Sequence, residues 1–162
     1  MNANQPQTTP SYRPLQASVP PQSQSSYPLE MVQPMRDELT GAGVVELLSE
    51  QDVERELAGS GTAVVIINSV CGCAAGAARP GFTLALEQCS LKPDKALTAF
   101  AGVHKEAVNA VRSRVPAPPS SPCIVLFKDG KAQAMMHRSD IEVRNPEQVA
   151  AVLDGMFKDI CV

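Results

Sequence analysis

The chain has 162 residues, a net charge of −3, and a composition that is 44% hydrophobic but only 4% aromatic, with no Trp. That length suits one domain plus a tail, with a core of Val, Leu, Ile, Ala and Met. No basic block points to nucleic acid or an anionic membrane, no apolar run is long enough to span a bilayer, and the polar first 24 residues lack the apolar segment of a secretory signal.

Residues 1–27 are rich in Gln, Ser, Thr and Pro and are expected to form a disordered tail, because they cannot bury enough apolar surface to offset their ordering entropy. The domain is expected over residues 28–162. Pro28 suits a helix start, Leu29, Val32, Met35 and Leu39 recur at helical spacing, and Gly41 is a stop. Val44, Val45 and Leu47 form a short strand. Ser49 caps a helix over residues 50–58, whose acidic cluster Glu50, Asp52, Glu54 and Glu56 is read as a solvated face. The β-branched run 64–68 is a strand buried on both faces.

A helix is then expected over residues 73–89, with a kink near Pro80 and Gly81. A strand follows over 96–101, a helix over 104–115, a proline-rich loop over 116–122 and a strand over 123–127. Asp129-Gly130 turns that strand back into an antiparallel partner over 131–136. Asn145, Pro146 and Gln148 start a last helix that buries Val149, Val152, Leu153, Met156 and Phe157. This alternation predicts an α/β fold: a mixed central sheet flanked by helices, with an extra N-terminal helix.

The chemistry concentrates at Cys71-Gly72-Cys73, between the strand 64–68 and the small residues Ala74, Ala75, Gly76, Ala77 and Ala78. A helix N-terminus presents free N–H groups and partial positive charge, which favour a thiolate. Gly72 is expected to permit a tight turn. Redox exchange and metal binding both fit two cysteines so placed. The chain has five cysteines. An odd count does not suit a secreted disulfide scaffold, so a reducing cytoplasm is the expected compartment.

The element order, with cysteines after the second strand, resembles the thioredoxin fold. So does Ser121-Pro122-Cys123-Ile124-Val125-Leu126-Phe127-Lys128-Asp129-Gly130, which is similar to the thioredoxin segment where a cis-proline precedes the fourth strand. Closer still, Asn68-Ser69-Val70-Cys71-Gly72-Cys73-Ala74-Ala75-Gly76-Ala77-Ala78-Arg79-Pro80 resembles the signature of the bacilliredoxin family. Pro34-Met35-Arg36-Asp37-Glu38-Leu39-Thr40 and Phe100-Ala101-Gly102 support that resemblance. It implies a thiol–disulfide oxidoreductase that removes bacillithiol from protein mixed disulfides, with disulfide isomerase activity as a related role. It also implies no bound cofactor, with bacillithiol as thiol co-substrate. The expected partners are bacillithiolated proteins, bacillithiol and a dedicated disulfide reductase.

In that scheme Cys71 is the nucleophile and Cys73 its resolving partner, while Gly72, Ser121 and a cis Pro122 shape the substrate groove. Cys123 is an inert core thiol, a third redox thiol, or a third ligand with Cys71 and Cys73 for zinc or an iron–sulfur cluster. No metal is expected on the first reading. Cys89 is expected in the core, and Cys161 is packed or free to exchange. Arg79 is expected at the rim, attracting bacillithiol carboxylates, or in a surface ion pair. His104 and His137 are expected to be solvated.

Overall fold

The computed structural model describes residues 25–162, so most of the expected tail lies outside the described residues. Ser25 to Tyr27, assigned to the tail from sequence, are placed. The Ser26 N–H donates to the Gly102 carbonyl, and the Tyr27 ring lies against Gly102.

The elements in chain order are α1 (Leu29–Thr40), β1 (Val45–Glu46), α2 (Glu50–Leu57), β2 (Thr62–Asn68), a π turn (Ala74–Ala78), α3 (Arg79–Gln88), β3 (Lys95–Phe100), α4 (Lys105–Arg112), β4 (Cys123–Lys128), β5 (Lys131–Met136), α5 (Arg138–Ile141) and α6 (Pro146–Ile160). The five strands form one sheet in the order β1-β3-β2-β4-β5. β1, β3 and β2 run parallel, and β4 and β5 return antiparallel. β2 is central, and its alternation feeds two cores. Val64 and Ile66 pack with α3 and α6, whereas Val65 and Ile67 pack with α2 and α4.

Two helix expectations need correction. The break in the helix after Cys73 is a π turn just upstream of Pro80, where the Arg79 N–H reaches back to the Ala74 carbonyl. Pro80 has no N–H, and its ring would meet the carbonyl four residues earlier in regular α geometry. The small residues 74–78 let the backbone widen there. α5 has no counterpart in the sequence reading, because four residues are too few to show a period.

Local chemistry explains the rest. Asp52 accepts the Leu48 N–H, which pulls its carboxyl below the usual range, and the Ser49 hydroxyl accepts the Asp52 N–H. Asp129 (φ 51°) and Gly130 (φ 74°) form the hairpin turn. Gly81 is needed for packing: a Cβ there would stand 2.6 Å from Val149 Cβ and 2.9 Å from the Pro146 carbonyl, where α3 meets α6.

His104 is half-buried rather than solvated. Its Nδ1 accepts the Phe100 N–H at 3.2 Å, and burial lowers its pKa, which keeps the imidazole neutral. His137 is also half-buried and stands at the cap of α5, where its N–H donates to Asp140 Oδ2 at 2.9 Å.

Arg79 departs furthest from expectation. It is neither at a rim nor in a surface pair but 2% exposed, at the start of α3. Its Nη1 donates to Asn68 Oδ1 (3.0 Å) and the Ser69 carbonyl (2.9 Å), and its Nε donates to Glu38 Oε2 (2.8 Å). Asn68 Nδ2 in turn donates to the Met35 carbonyl at 3.0 Å. One guanidinium thus ties α1 and α3 to the end of β2. Arg79→Met leaves the buried Ser69 carbonyl without a donor and is expected to cost about 1–3 kcal/mol in denaturant unfolding. Glu38→Gln, at a half-exposed partner, is expected to cost under about 1 kcal/mol. Equal losses for the two variants would show that the guanidinium is not the organising group.

Candidate active site

β2 ends at Asn68, and the next five residues deliver the thiols. The Ser69 N–H donates to Asn68 Oδ1 (2.8 Å), and the Cys71 N–H donates to Ser69 Oγ (3.1 Å). The Ala101 N–H donates to the Asn68 carbonyl, so the loop after β3 braces the same turn. The Cys71 carbonyl accepts from Ala74 (3.0 Å) and Ala75 (3.3 Å), which makes Cys71 the cap of the helical segment that follows. Asn68 and Ser69 were quoted only as parts of a signature. Their capping chemistry was readable, since a Ser two residues before a turn N–H commonly accepts it.

Both cysteines are free thiols, partly exposed, with their sulfurs 3.0 Å apart. Their environments push them in opposite directions. The hydrogen bond shared with the Cys73 sulfur, the Cys73 and Ala74 N–H groups and the Arg138 charge lower Cys71 from the ordinary thiol range. Cys73 is raised, first by burial and then by the neighbouring Cys71 sulfur. The arrangement therefore favours the thiolate on Cys71 and the thiol on Cys73.

Gly72 is exposed, and a Cβ on it would meet nothing within 4 Å. Its φ is not among the positive ones. The turn therefore does not depend on a glycine conformation, and what glycine leaves is open space between the two cysteines.

The Ser121–Pro122 bond is cis. Ile67 pairs with Cys123 across β2 and β4, so Pro122 lies one step further along, level with Asn68 at the end of the sheet that carries the thiols. Pro122 is buried and Ser121 is partly exposed.

Cys123 is 3% exposed and belongs to the core with Ile67 and Val125; burial pushes its thiol up to about 11. Among the described residues no three His, Cys, Asp or Glu side chains converge to hold a metal ion, so Cys123 does not complete a ligand set with Cys71 and Cys73. Cys89 caps the end of α3 in the core, and burial, then Asp154, raises its thiol. Cys161, at the end of α6, is partly buried against the same core and is also raised by burial. Arg138 was not singled out from sequence, because nothing local links it to a motif some 65 residues earlier. No helix among the described residues is long and apolar enough to cross a membrane.

Known proteins agree with this geometry. Residues 27–161 match the family model described as disulphide isomerase. A bacilliredoxin of Cytophaga hutchinsonii is 45% identical over 135 residues, covering 83% of this chain and 99% of that protein. A bacilliredoxin of Geobacillus kaustophilus is 43% identical, covering 85% of this chain and 97% of that protein. Among solved structures, mitochondrial thioredoxin 3 of Saccharomyces cerevisiae superposes with a TM-score of 0.50 at 16% identity, over 76% of this chain and 99% of its own. A second protein with a thioredoxin fold gives 0.53 at 18%, over 68% and 96%. At such identities the superpositions establish the fold, and the curated relatives establish the lineage. The chain belongs to the bacilliredoxin family and is a thiol–disulfide oxidoreductase of thioredoxin-like fold.

Proposed function

We propose that this protein removes bacillithiol from protein mixed disulfides, with Cys71 as nucleophile and Cys73 as the resolving thiol. The observation that carries the reading is the opposed pair: a thiol lowered at the cap of the helical segment, 3.0 Å from one that is raised. The Cys71 thiolate attacks the bacillithiol sulfur. A sulfur–sulfur bond to Cys71 forms as the bond to the substrate protein breaks, and the protein sulfur leaves with the electron pair and takes up a proton. Cys73, once deprotonated, displaces bacillithiol as a thiolate and closes a Cys71–Cys73 disulfide. Reduction of that disulfide by a dedicated reductase restores the pair. A second small thiol acting on the Cys71 adduct is the shorter route.

No cofactor is needed, and bacillithiol is a co-substrate. The cis Pro122 and its neighbour Ser121 border the approach to the thiols, where an extended substrate can pair with free backbone groups. The exchange belongs in a reducing cytoplasm, with bacillithiolated proteins as partners and no role for nucleic acid or membrane. The family description favours a second reading, a general disulfide isomerase, which uses the same Cys71 chemistry.

Incubating Cys73→Ser with a bacillithiolated protein, and in parallel with a glutathionylated one, separates the two readings. The expected result by intact mass is a stable bacillithiol adduct on Cys71 with release of the substrate thiol. Adducts of both thiols at similar rates would favour the isomerase, and no adduct with either would remove the exchange reading.

Alkylation of Cys71 by iodoacetamide follows its thiolate, so the rate is present above its pKa and falls as pH drops through it. The inflection is expected below the free-cysteine value of about 8.5. Cys73→Ala removes the hydrogen bond between the two sulfurs and is expected to move the inflection upward. An unmoved inflection would show that the backbone N–H groups alone set it.

Because Gly72 opens the approach rather than the turn, Gly72→Val is expected to change folding stability by less than about 1 kcal/mol. The same variant is expected to slow exchange with protein mixed disulfides more than with a free small disulfide. A large stability loss would return Gly72 to a backbone role.

A further inference from the structure

The end of the sheet that carries Cys71 also carries a cation the mechanism above does not use. Ile67 pairs with Cys123 across β2 and β4, and Ile124 pairs with Met136 across β4 and β5. Pro122 lies just before β4 and Arg138 just after β5, so both leave the antiparallel pair at the end where Asn68 closes β2. The turn bearing the thiols follows β2, the cis-proline precedes β4 and Arg138 opens α5 just after β5, so all three stand at the same end of three neighbouring strands. The Arg138 N–H donates to Ser120 Oγ at 3.2 Å, which fixes the start of α5 to the proline-rich loop. The Arg138 charge reaches both thiols, lowering each.

The guanidinium is also free to bind. Its side chain is half-exposed, and its one ion pair among the described residues is a loose contact of 3.6 Å to the equally exposed Glu142, one turn along. Such pairs contribute little and exchange readily. By contrast, Arg79, itself buried and bonded to Asn68, Ser69 and Glu38, has no face to offer a ligand.

We infer that Arg138 is the docking cation of the exchange site: it receives a carboxylate of an anionic low-molecular-weight thiol while that thiol's sulfur lies in line with Cys71. The inference rests on the exchange reading given above and specifies which part of the mixed disulfide is recognised. An anionic cap is drawn to Arg138, and the attacked sulfur is then the cap's own. Cys71 forms a bond to that sulfur, the bond to the carrier protein breaks, and the carrier leaves as thiolate and is protonated by water. Attack at the other sulfur would leave Cys71 joined to the carrier instead. A planar guanidinium suits this task because it can hold a carboxylate through two parallel N–H bonds.

The test uses one carrier protein bearing, through the same cysteine, glutathione (anionic), mercaptoethanol (neutral) or cysteamine (cationic). The rate of cap removal is compared within each variant, so a change in Cys71 reactivity cancels from the ratio. The unmodified protein is expected to favour the glutathione cap over the cysteamine cap. Arg138→Lys is expected to retain most of that preference. Arg138→Ala is expected to lower it about two- to fivefold, the range for one exposed ion pair, and Arg138→Glu is expected to lower it further. Glu142→Gln, which frees the guanidinium, is expected to raise it. As a second readout, the ratio of iodoacetate to iodoacetamide alkylation at Cys71 reports local positive charge, and it is expected to fall in Arg138→Ala and again in Arg138→Glu. Active variants with unchanged cap and alkylation ratios would overturn the role of Arg138 and leave the exchange reading intact. An unmodified protein inert toward every cap would overturn the exchange reading and this inference with it.

Discussion

The buried guanidinium of Arg79 is the constraint on which the active-site end of the molecule depends. A charge so far from water persists only when its donors are matched, and here they reach Asn68, Ser69 and Glu38. Those acceptors are the last residue of β2, the first residue of the thiol turn and the N-terminal helix. The network has a direction. Arg79 and the Ser69 N–H share Asn68 Oδ1, which orients Asn68 so that its amide reaches the Met35 carbonyl, and Ser69 then presents its hydroxyl to the Cys71 N–H. A helix that looks like an addition to the thioredoxin-like core is thereby a supporting wall of the turn that carries Cys71 and Cys73.

The chemistry at the pair follows from unequal surroundings of equal groups. Cys71 caps the helical segment and collects N–H donors, while Cys73, two residues on, is more enclosed and is held as the thiol of the pair. Burial and hydrogen bonding therefore act in opposite senses on two thiols of the same intrinsic acidity. The same physics removes Cys123 from contention. It starts the strand beside the pair, yet enclosure in the core holds it as a thiol near neutrality, so nearness along the sheet is not nearness in reactivity.

What was legible in the sequence was whatever short-range pattern encodes. The β-branched run of β2, the Asn145–Gln148 capping box, the Asp129-Gly130 turn and the Cys-Gly-Cys segment each declare themselves within a few residues, and each was found in place. What stayed hidden was set by partners far along the chain. Arg79 reads as a polar residue two turns into a helix, and only the fold shows that Glu38, 41 positions earlier, meets it. Arg138 gains its position from the register of β5 on β4, which no local pattern states. Gly72 shows the same limit: the sequence offers a glycine that permits a turn, and only the fold shows open space where its side chain would be.

That missing side chain bears on how the pair could meet both a folded protein and a small thiol, as the proposed exchange requires. Cys71 and Cys73 are partly exposed and Gly72 between them is open, so the proposed approach is set by the substrate's bulk. An open corner offers little surface for selecting one sulfur of a disulfide over the other. Selection must then come from groups at its border: the proline-rich loop on the sheet edge, and the charge fixed next to it. The corner is rigid where it must hold a thiolate and unguarded where the disulfide arrives, and both properties trace to the same five residues between Asn68 and Ala74.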